Sequence, residues 1–439
     1  MKTKLNNAEF RLVPPADQRL QNLVPFPIQI VTSADPIRMP EDSIRILKGE
    51  ATDVATANMS QTGVWNSIQD DPEVLSHGLP LSARLIQGPQ VFFENPTREI
   101  LIPQLNDPSS QTNLSERRWK FRSTAEKNLV MKMVAQFIND IPGAHGVTET
   151  ILAIADELFT NALFNAPFDD LDSTLDRSTL VVLDAEMSAE LIIGHTKDKI
   201  FLGCTDAYGT LNCERLIKRI FNGFKDGISS ALNMERGGAG IGMLRMVDLS
   251  AHIFVLVERN KKTLIGCGFP LNRSPKKIRT APKNFYFQSY HDVTFKGGKM
   301  RVERRENRAY VRIFGEIAPD FPYDELDLVE AENIKIDLLR CDPTENYQFL
   351  HEIIKQFVTI KRLGLNFVSS DDLSNLNAFL KTSQIPAEIE SFATSMKCTP
   401  CNNAEKVLFV KSDDKTESIP AMRCQKCGAE LISENRLKL

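Results

Sequence analysis

Apolar spacing along the chain is clearest in its middle third. Arg118-Trp-Lys-Phe-Arg122 alternates as a strand does. Ser123 follows, with Glu126 three positions on, a reciprocal pairing that starts helices. Leu129, Met133, Val134, Phe137 and Ile138 then recur at helical spacing until Ile141-Pro-Gly143 stops the run. A second helix is predicted from about Val147 to Asn165, with Ile151, Ile154, Leu158, Ala162 and Leu163 on its apolar side. Strands are predicted at Thr179–Leu183, Leu191–Ile193 and Ile200–Cys204. A helix bearing Leu216, Ile217, Ile220 and Phe221 follows, then strands at Ile253–Val257 and Thr263–Cys267. A few helices with mostly hairpin-linked strands predict an α+β sandwich, not an alternating βαβ array.

The flanks read differently. Residues 1–114 are dense in proline (Pro14, Pro15, Pro25, Pro27, Pro36, Pro40), which favours irregular chain between short elements. Three short apolar runs, within Asn22–Val31, Ser43–Leu47 and Val91–Phe93, are strand-like. A small α/β domain and a partly ordered arm both fit this region. Asp107–Asn113 is a linker by composition, and so is 271–306, which opens on the basic, proline-bearing Leu271–Pro282. Beyond about 307, strands are predicted at Tyr310–Phe314, Ile334–Leu338 and Leu365–Val368. Helices carry Phe349, Ile353, Ile354 and Phe357, and span about Leu373–Leu380, which makes 307–395 a small α/β domain. Residues 396–439 are a cysteine-bearing tail.

Composition narrows the function classes. At 439 residues the chain is too long for one ordinary domain, so a multidomain protein is expected. A net charge of -4 argues against a basic nucleic-acid binder. No apolar run has membrane-spanning length, and Met1–Asn7 lacks a signal peptide's apolar core. A soluble cytoplasmic protein is expected. Of eight cysteines, Cys204, Cys213, Cys267 and Cys341 are scattered and read as small buried hydrophobes.

Three elements of the 115–270 segment carry chemistry. Glu157, Asn161 and Asn165 lie at i, i+4 and i+8, one polar stripe on the second helix. Asn161 offers a neutral oxygen to Mg²⁺, and Glu157 a base for a nucleophile attacking a γ-phosphate. In Cys204-Thr-Asp206-Ala-Tyr-Gly209, Asp206 can accept from an adenine amino group, and Gly209 leaves room for a ring. Gly238-Ala-Gly240-Ile-Gly242 precedes a helical pattern, where backbone N–H groups can cradle phosphates. Each element alone also reads as ordinary structure: a solvated helix face, a turn, a glycine loop.

In this order and spacing, the three elements resemble the asparagine box and two glycine boxes of the GHKL superfamily, which has the Bergerat fold. The match covers about 150 residues and is full at Glu157-Leu-x-x-Asn161-Ala162. With no phospho-acceptor histidine helix before it, the segment is most similar to the anti-sigma-factor serine kinases. The resemblance implies ATP and Mg²⁺ as cofactors and a lid over 212–236, where Lys218, Arg219, Lys225 and Arg236 are candidate phosphate contacts. Tyr208 and Thr210 stand where the family's first glycine box has glycines, and Asn165 where it often has histidine.

Residues 307–395 resemble STAS domains, the fold of the kinases' antagonists. Ile336-Asp-Leu338 fits that family's strand, but the following turn reads Glu345-Asn-Tyr-Gln348, without the acceptor serine. In the tail, Cys398-x-x-Cys401 and Cys424-x-x-Cys427 are metal-knuckle pairs rather than a disulfide framework. Four thiolates suit a closed structural Zn²⁺ site, and Asn402 and Gly428 suit the knuckle turns. Val407–Val410 is the ribbon strand between the pairs. The organisation expected is thus an N-terminal region (1–114), a GHKL module (115–270), a linker (271–306), a STAS-like domain (307–395) and a zinc ribbon (396–439). The reading that follows is a partner-switching serine/threonine kinase acting on a regulatory protein of anti-sigma or antagonist type. The alternative is a non-catalytic ATP-binding scaffold that docks a partner through the STAS-like domain. A homodimer is left open, no membrane is expected, and nucleic acid ranks lowest as a partner.

Overall fold

The computed structural model describes residues 3–5, 8–12, 28–32, 44–48, 66–69, 72–102, 114–167, 180–226, 239–271, 273–280, 283–295, 297–305, 307–315, 323–326, 331–341, 348–356, 360–366, 368–369, 376, 378–381, 387–389, 391–402, 404–412, 427, 429 and 431–433. The fold is mixed α+β. The chain forms two compact units: Pro15–Ser289, and a second assembled from Met1–Pro14 with Tyr290–Leu439.

Strands β1 (Thr3–Leu5) and β2 (Ala8–Leu12) belong to the second unit. The first unit begins with β3 (Ile28–Thr32), β4 (Ile44–Lys48) and β5 (Asn66–Gln69), then helices α1 (Pro72–Gln87), α2 (Gln90–Glu94) and α3 (Pro96–Leu101). It continues with β6 (Ser115–Phe121), α4 (Lys127–Asn139), α5 (Thr148–Phe164), β7 (Ala189–His195), β8 (Lys199–Asp206) and α6 (Cys213–Asp226). After α7 (Ala239–Leu249), β9 (His252–Glu258), β10 (Lys262–Pro270) and α8 (Pro275–Thr280), the unit ends inside β11 (Asn284–Phe295).

The sheet of this unit runs β3-β4-β5-β11-β9-β10-β8-β7-β6. Its first three strands are parallel, and β10, β8, β7 and β6 pair antiparallel. The sheet is covered on both faces, which explains the unbroken apolar run in β8. Ile200, Leu202 and Cys204 join the core beneath α4–α7, while Phe201 points the other way and meets Phe254 edge-on. On that second face Phe254 stacks on Tyr286 at 4.7 Å, Gly78 of α1 lets the Tyr286 hydroxyl approach, and Thr97 of α3 sits over Gly194. Gly203 and Gly266 are register partners, and a methyl on either would overlap the Phe201 ring. Ser123 and Glu126 form the expected capping box, at a 3₁₀ turn leading into α4. Burying Ile151, Ile154, Leu158, Phe159 and Leu163 holds α5 to the sheet, each side chain contributing about 1.5–3 kcal/mol.

Three expectations need correcting. Val91–Phe93 is not a strand but part of α2. Its three apolar residues span one turn, which buries Phe92, and prolines at 89 and 96 bound the element. The predicted strand over Thr179–Leu183 is reduced to an isolated bridge, Val182 to Ser123, with Leu180 and Val182 exposed; Thr179 lies outside the described residues. The segment 271–306 is no linker, because it holds α8, β11 and β12 (Gly298–Arg305). Phe285, Tyr286 and Phe287 there are fully buried, so packing outweighs the basic, proline-bearing approach.

In the second unit, β11 from Tyr290, β12, β13 (Arg308–Gly315), β14 (Asn333–Cys341), β15 (Arg362–Asn366) and β17 (Ala387–Ile389) form one sheet in that order. β12 and β13 are a hairpin, and β13, β14, β15 and β17 are parallel, with α9 (Gln348–Gln356) between β14 and β15. Arg301 is fully buried, paired to Asp292 through Nε (2.7 Å) and Nη2 (2.9 Å). A second sheet runs β1-β2-β19-β18-β16, where β16 is Val368–Ser369, β18 Ser391–Cys398 and β19 Ala404–Ser412. β20 (Leu431–Ser433) pairs with β18.

Candidate functional site

The C-terminal end of the α5 polar stripe opens onto a cleft in the first unit. Asn161 and Asn165 line it from α5, Asp206 and Thr210 from the turn after β8, Thr263 from β10 and Met243 from α7. Leu158, Ala162, Ile220 and Ile265 supply apolar walls, and Arg215 and Arg219 lie one turn apart on α6. The cavity of ≈ 170 Å³ is on the order of ten times what one water needs, enough for a ring system.

Asp206 is fixed at the end of β8, in register with Thr263. Its Oδ1 accepts from the backbone N–H groups of Tyr208 (2.9 Å) and Gly209 (3.4 Å), and Thr263 donates to the same carboxylate from its hydroxyl and backbone N–H. Burial pushes the Asp206 carboxyl up to about 6, and these hydrogen bonds only partly offset that. The group therefore titrates close to neutral pH.

The sequence expects Gly209 to leave room for a ring; the structure gives a different requirement for glycine here. Its φ is +65°, and a Cβ would strike the Glu258 carbonyl and the Asn260 and Lys261 nitrogens of the β9–β10 turn. Asn260 N–H also donates to its carbonyl at 3.2 Å. Glycine is required here by a close approach of two backbones. The residues that depart from the family pattern do not block the cleft. Tyr208 packs on the core, and the Thr210 hydroxyl donates to Ala166 O at 2.8 Å.

At the other end, Asn165 Nδ2 donates to Asn161 Oδ1 at 2.6 Å. α7 begins at Ala239, so Gly240 lies in its first turn, where backbone N–H groups lack partners within the helix, and Gly242 is its fourth residue; Gly238 lies outside the described residues, as does Arg236. Gly242 packs directly on the Glu157 side chain, leaving no space for a Cβ. Glu157 is thus held between α5 and α7 and does not line the cleft. Lys283 anchors the far end of α7, donating to the carbonyls of Asp248 (3.0 Å), Ser250 (2.9 Å) and Ile278 (2.8 Å).

No protein-family model and no curated protein matches the sequence. Sequence reasoning missed Thr263 and Arg215. Thr263 could be found only through the β8–β10 register, which places it opposite Asp206. Arg215 precedes Arg219 by one helical turn, the only signal it carries. Among the described residues, no helix is long and apolar enough to cross a membrane.

In the second unit, Cys398 ends β18, Cys401 follows in the turn, and Cys427 returns beside them ahead of β20. The three sulfurs lie within 4.8 Å of one another, with Cys398 Sγ 3.3 Å from Cys427 Sγ. Tetrahedral thiolates about 2.3 Å from one zinc sit about 3.8 Å apart, so this cluster could hold a metal ion. Asn402 adopts the left-handed conformation (φ +56°) and donates its N–H to the Cys398 carbonyl at 2.8 Å, the turn expected of a knuckle. Cys424 and Gly428 lie outside the described residues.

Proposed function

We propose that residues 115–270, within the Pro15–Ser289 unit, are a GHKL-type nucleotide-binding module and that the chain is a signalling regulator. The observation that carries this reading is the convergence of Asn161 and Asn165 from α5 with Asp206 from the end of β8 on one cleft. Asp206 supplies an acceptor for an adenine amino group, and the apolar walls suit the ring. Arg215 and Arg219 suit phosphate charge. Asn161 would hold Mg²⁺, which takes few protein ligands and keeps its other positions for water and phosphate oxygens. Bound there, the cation supplies charge neutralisation at the phosphates.

Titration with a fluorescent ATP analogue and Mg²⁺ tests this. Saturable binding is expected, weakened about 30-fold in Asn161→Ala, the equivalent of one charge-assisted contact. Lack of saturable binding by the unaltered protein would overturn the reading.

Two uses of the nucleotide follow. In a partner-switching serine/threonine kinase, Glu157 is the base and the γ-phosphate passes to a regulatory protein. In a non-catalytic scaffold, the nucleotide sets the shape of a chain whose STAS-like region captures that partner. The placement of Glu157 under Gly242, away from the cleft lining, favours the scaffold. Phosphate transfer to a serine-bearing partner, lost in Glu157→Gln, would reverse that preference. The parallel strands and intervening helix of β13–β15 support the STAS-like reading. The turn that would carry the acceptor serine, Glu345–Tyr347, lies outside the described residues.

The cysteine cluster supports a structural zinc ribbon, with Cys424 as fourth ligand. Metal analysis should find about one zinc per chain, near zero in Cys398→Ser, whose buried sulfur is central to the cluster. A zinc-free unaltered protein, purified without chelator, would retire the site.

A further inference from the structure

We propose that Thr210 is a positioning residue that locks the base-anchoring turn to the metal end of α5. This rests on the nucleotide reading above. The Thr210 hydroxyl donates to Ala166 O at 2.8 Å, just past the C-terminus of α5. The backbone N–H groups of Asn165 and Ala166 both donate to Asn161 O, at 3.0 and 3.1 Å, and the Asn165 side chain donates to Asn161 Oδ1. On the other side of Thr210, the turn is closed by Asp206 Oδ1 on the Tyr208 and Gly209 N–H groups. Hydrogen bonds at both ends and the short backbone stretch between Gly209 and Thr210 thus join Asp206 to Asn161.

A glycine at 210 would supply neither the hydroxyl nor the restriction on φ and ψ, so the turn would sample more states. Threonine pre-organises the acceptor before a base arrives, and a ligand held in a preformed site loses less ordering free energy. The substitution is a brace rather than a defect in the motif.

The experiment titrates adenosine, which reaches only the base end, and a non-hydrolysable ATP analogue with Mg²⁺. The full-length proteins are unaltered, Thr210→Val, Thr210→Ser, Thr210→Gly and Asn165→Ala, with the Thr210→Val/Asn165→Ala double variant. Thr210→Val should weaken adenosine about tenfold, Thr210→Ser should restore it, and Thr210→Gly should resemble Val. Should Val fail to fold, the Ser-to-Gly difference decides. For the Mg²⁺-nucleotide the double variant should lose less than the product of the single losses, because both act through the Asn161–Ala166 turn. Unchanged adenosine affinity in Val or Gly, or Ser as weak as either, would overturn the brace while leaving the nucleotide site standing. Failure of the unaltered protein to bind either ligand would overturn the nucleotide reading itself.

Discussion

Replacing Gly209 with alanine should lower the stability of the Pro15–Ser289 unit by about 2–4 kcal/mol and remove most of its nucleotide affinity. Two costs add. The positive φ disfavours any side chain, and the new methyl would meet backbone atoms of Glu258, Asn260 and Lys261, which cannot rotate aside. Relief requires the turn after β8 to separate from the β9–β10 turn, and Asp206 moves with it. Chemical denaturation of Gly209→Ala beside Gly146→Ala is the measurement. Gly146 has open space where a Cβ would go, so its substitution should be near neutral. Equal stability of the two variants would sink the argument.

Asp206→Asn should shift stability and affinity in opposite directions. The folded carboxyl titrates near 6, against an ordinary 3.8, so between those pH values the folded state holds more protons than the unfolded one. Stability of the free protein should therefore fall as pH rises from 4 to 6 and level off above. The amide that replaces the carboxylate carries no charge to desolvate. The variant should be more stable at pH 7 by about 1–2 kcal/mol, discounted because the carboxyl faces an open cleft, and should lack that slope. Its affinity for adenine nucleotides should drop on the order of a hundredfold, since an amide NH₂ cannot accept from an amino group. In the unaltered protein, affinity should fall below pH 6 as the carboxyl is protonated, by up to about tenfold per pH unit. Thermal unfolding and nucleotide titration across pH 4.5–8 measure both. A variant destabilised at pH 7, or binding as tightly as the unaltered protein, contradicts this account.

The long helix α5 was legible because its 17 residues repeat an apolar face over several turns and its polar stripe carries rare chemistry at fixed spacing. The hairpin strands β7–β10 were legible for the same reason of repetition. α2 was not, since three apolar residues fit one helical turn and one short strand equally well. β11 is hidden in the sequence because Phe285, Tyr286 and Phe287 follow a stretch whose lysines and prolines resemble a linker, and their burial arises from neighbours distant in sequence. The candidate site divides along the same line. Asn161, Asn165 and Asp206 were visible as local motifs, whereas Thr263 enters only by strand register. Gly209 stands out locally as a turn glycine, but the backbone crossing that requires it is made by the distant β9–β10 turn and is not written locally.

The pairing of β2 with β19 sets Leu12 opposite Phe409, so partners far apart in the order of synthesis must meet. On the ribosome, β2 emerges early beside β1 and waits through synthesis of the whole Pro15–Ser289 unit before β19 exists. Residues 8–12 can pair with β1 at once, but their other edge stays open for most of translation, alternating apolar and charged positions and available to any other open sheet edge. The first unit can complete its sheet in the meantime, since the strands from β3 to the start of β11 find their described partners within it. Assembly order is thus built into the chain: the Pro15–Ser289 unit is finished before the cysteine-bearing sheet can close.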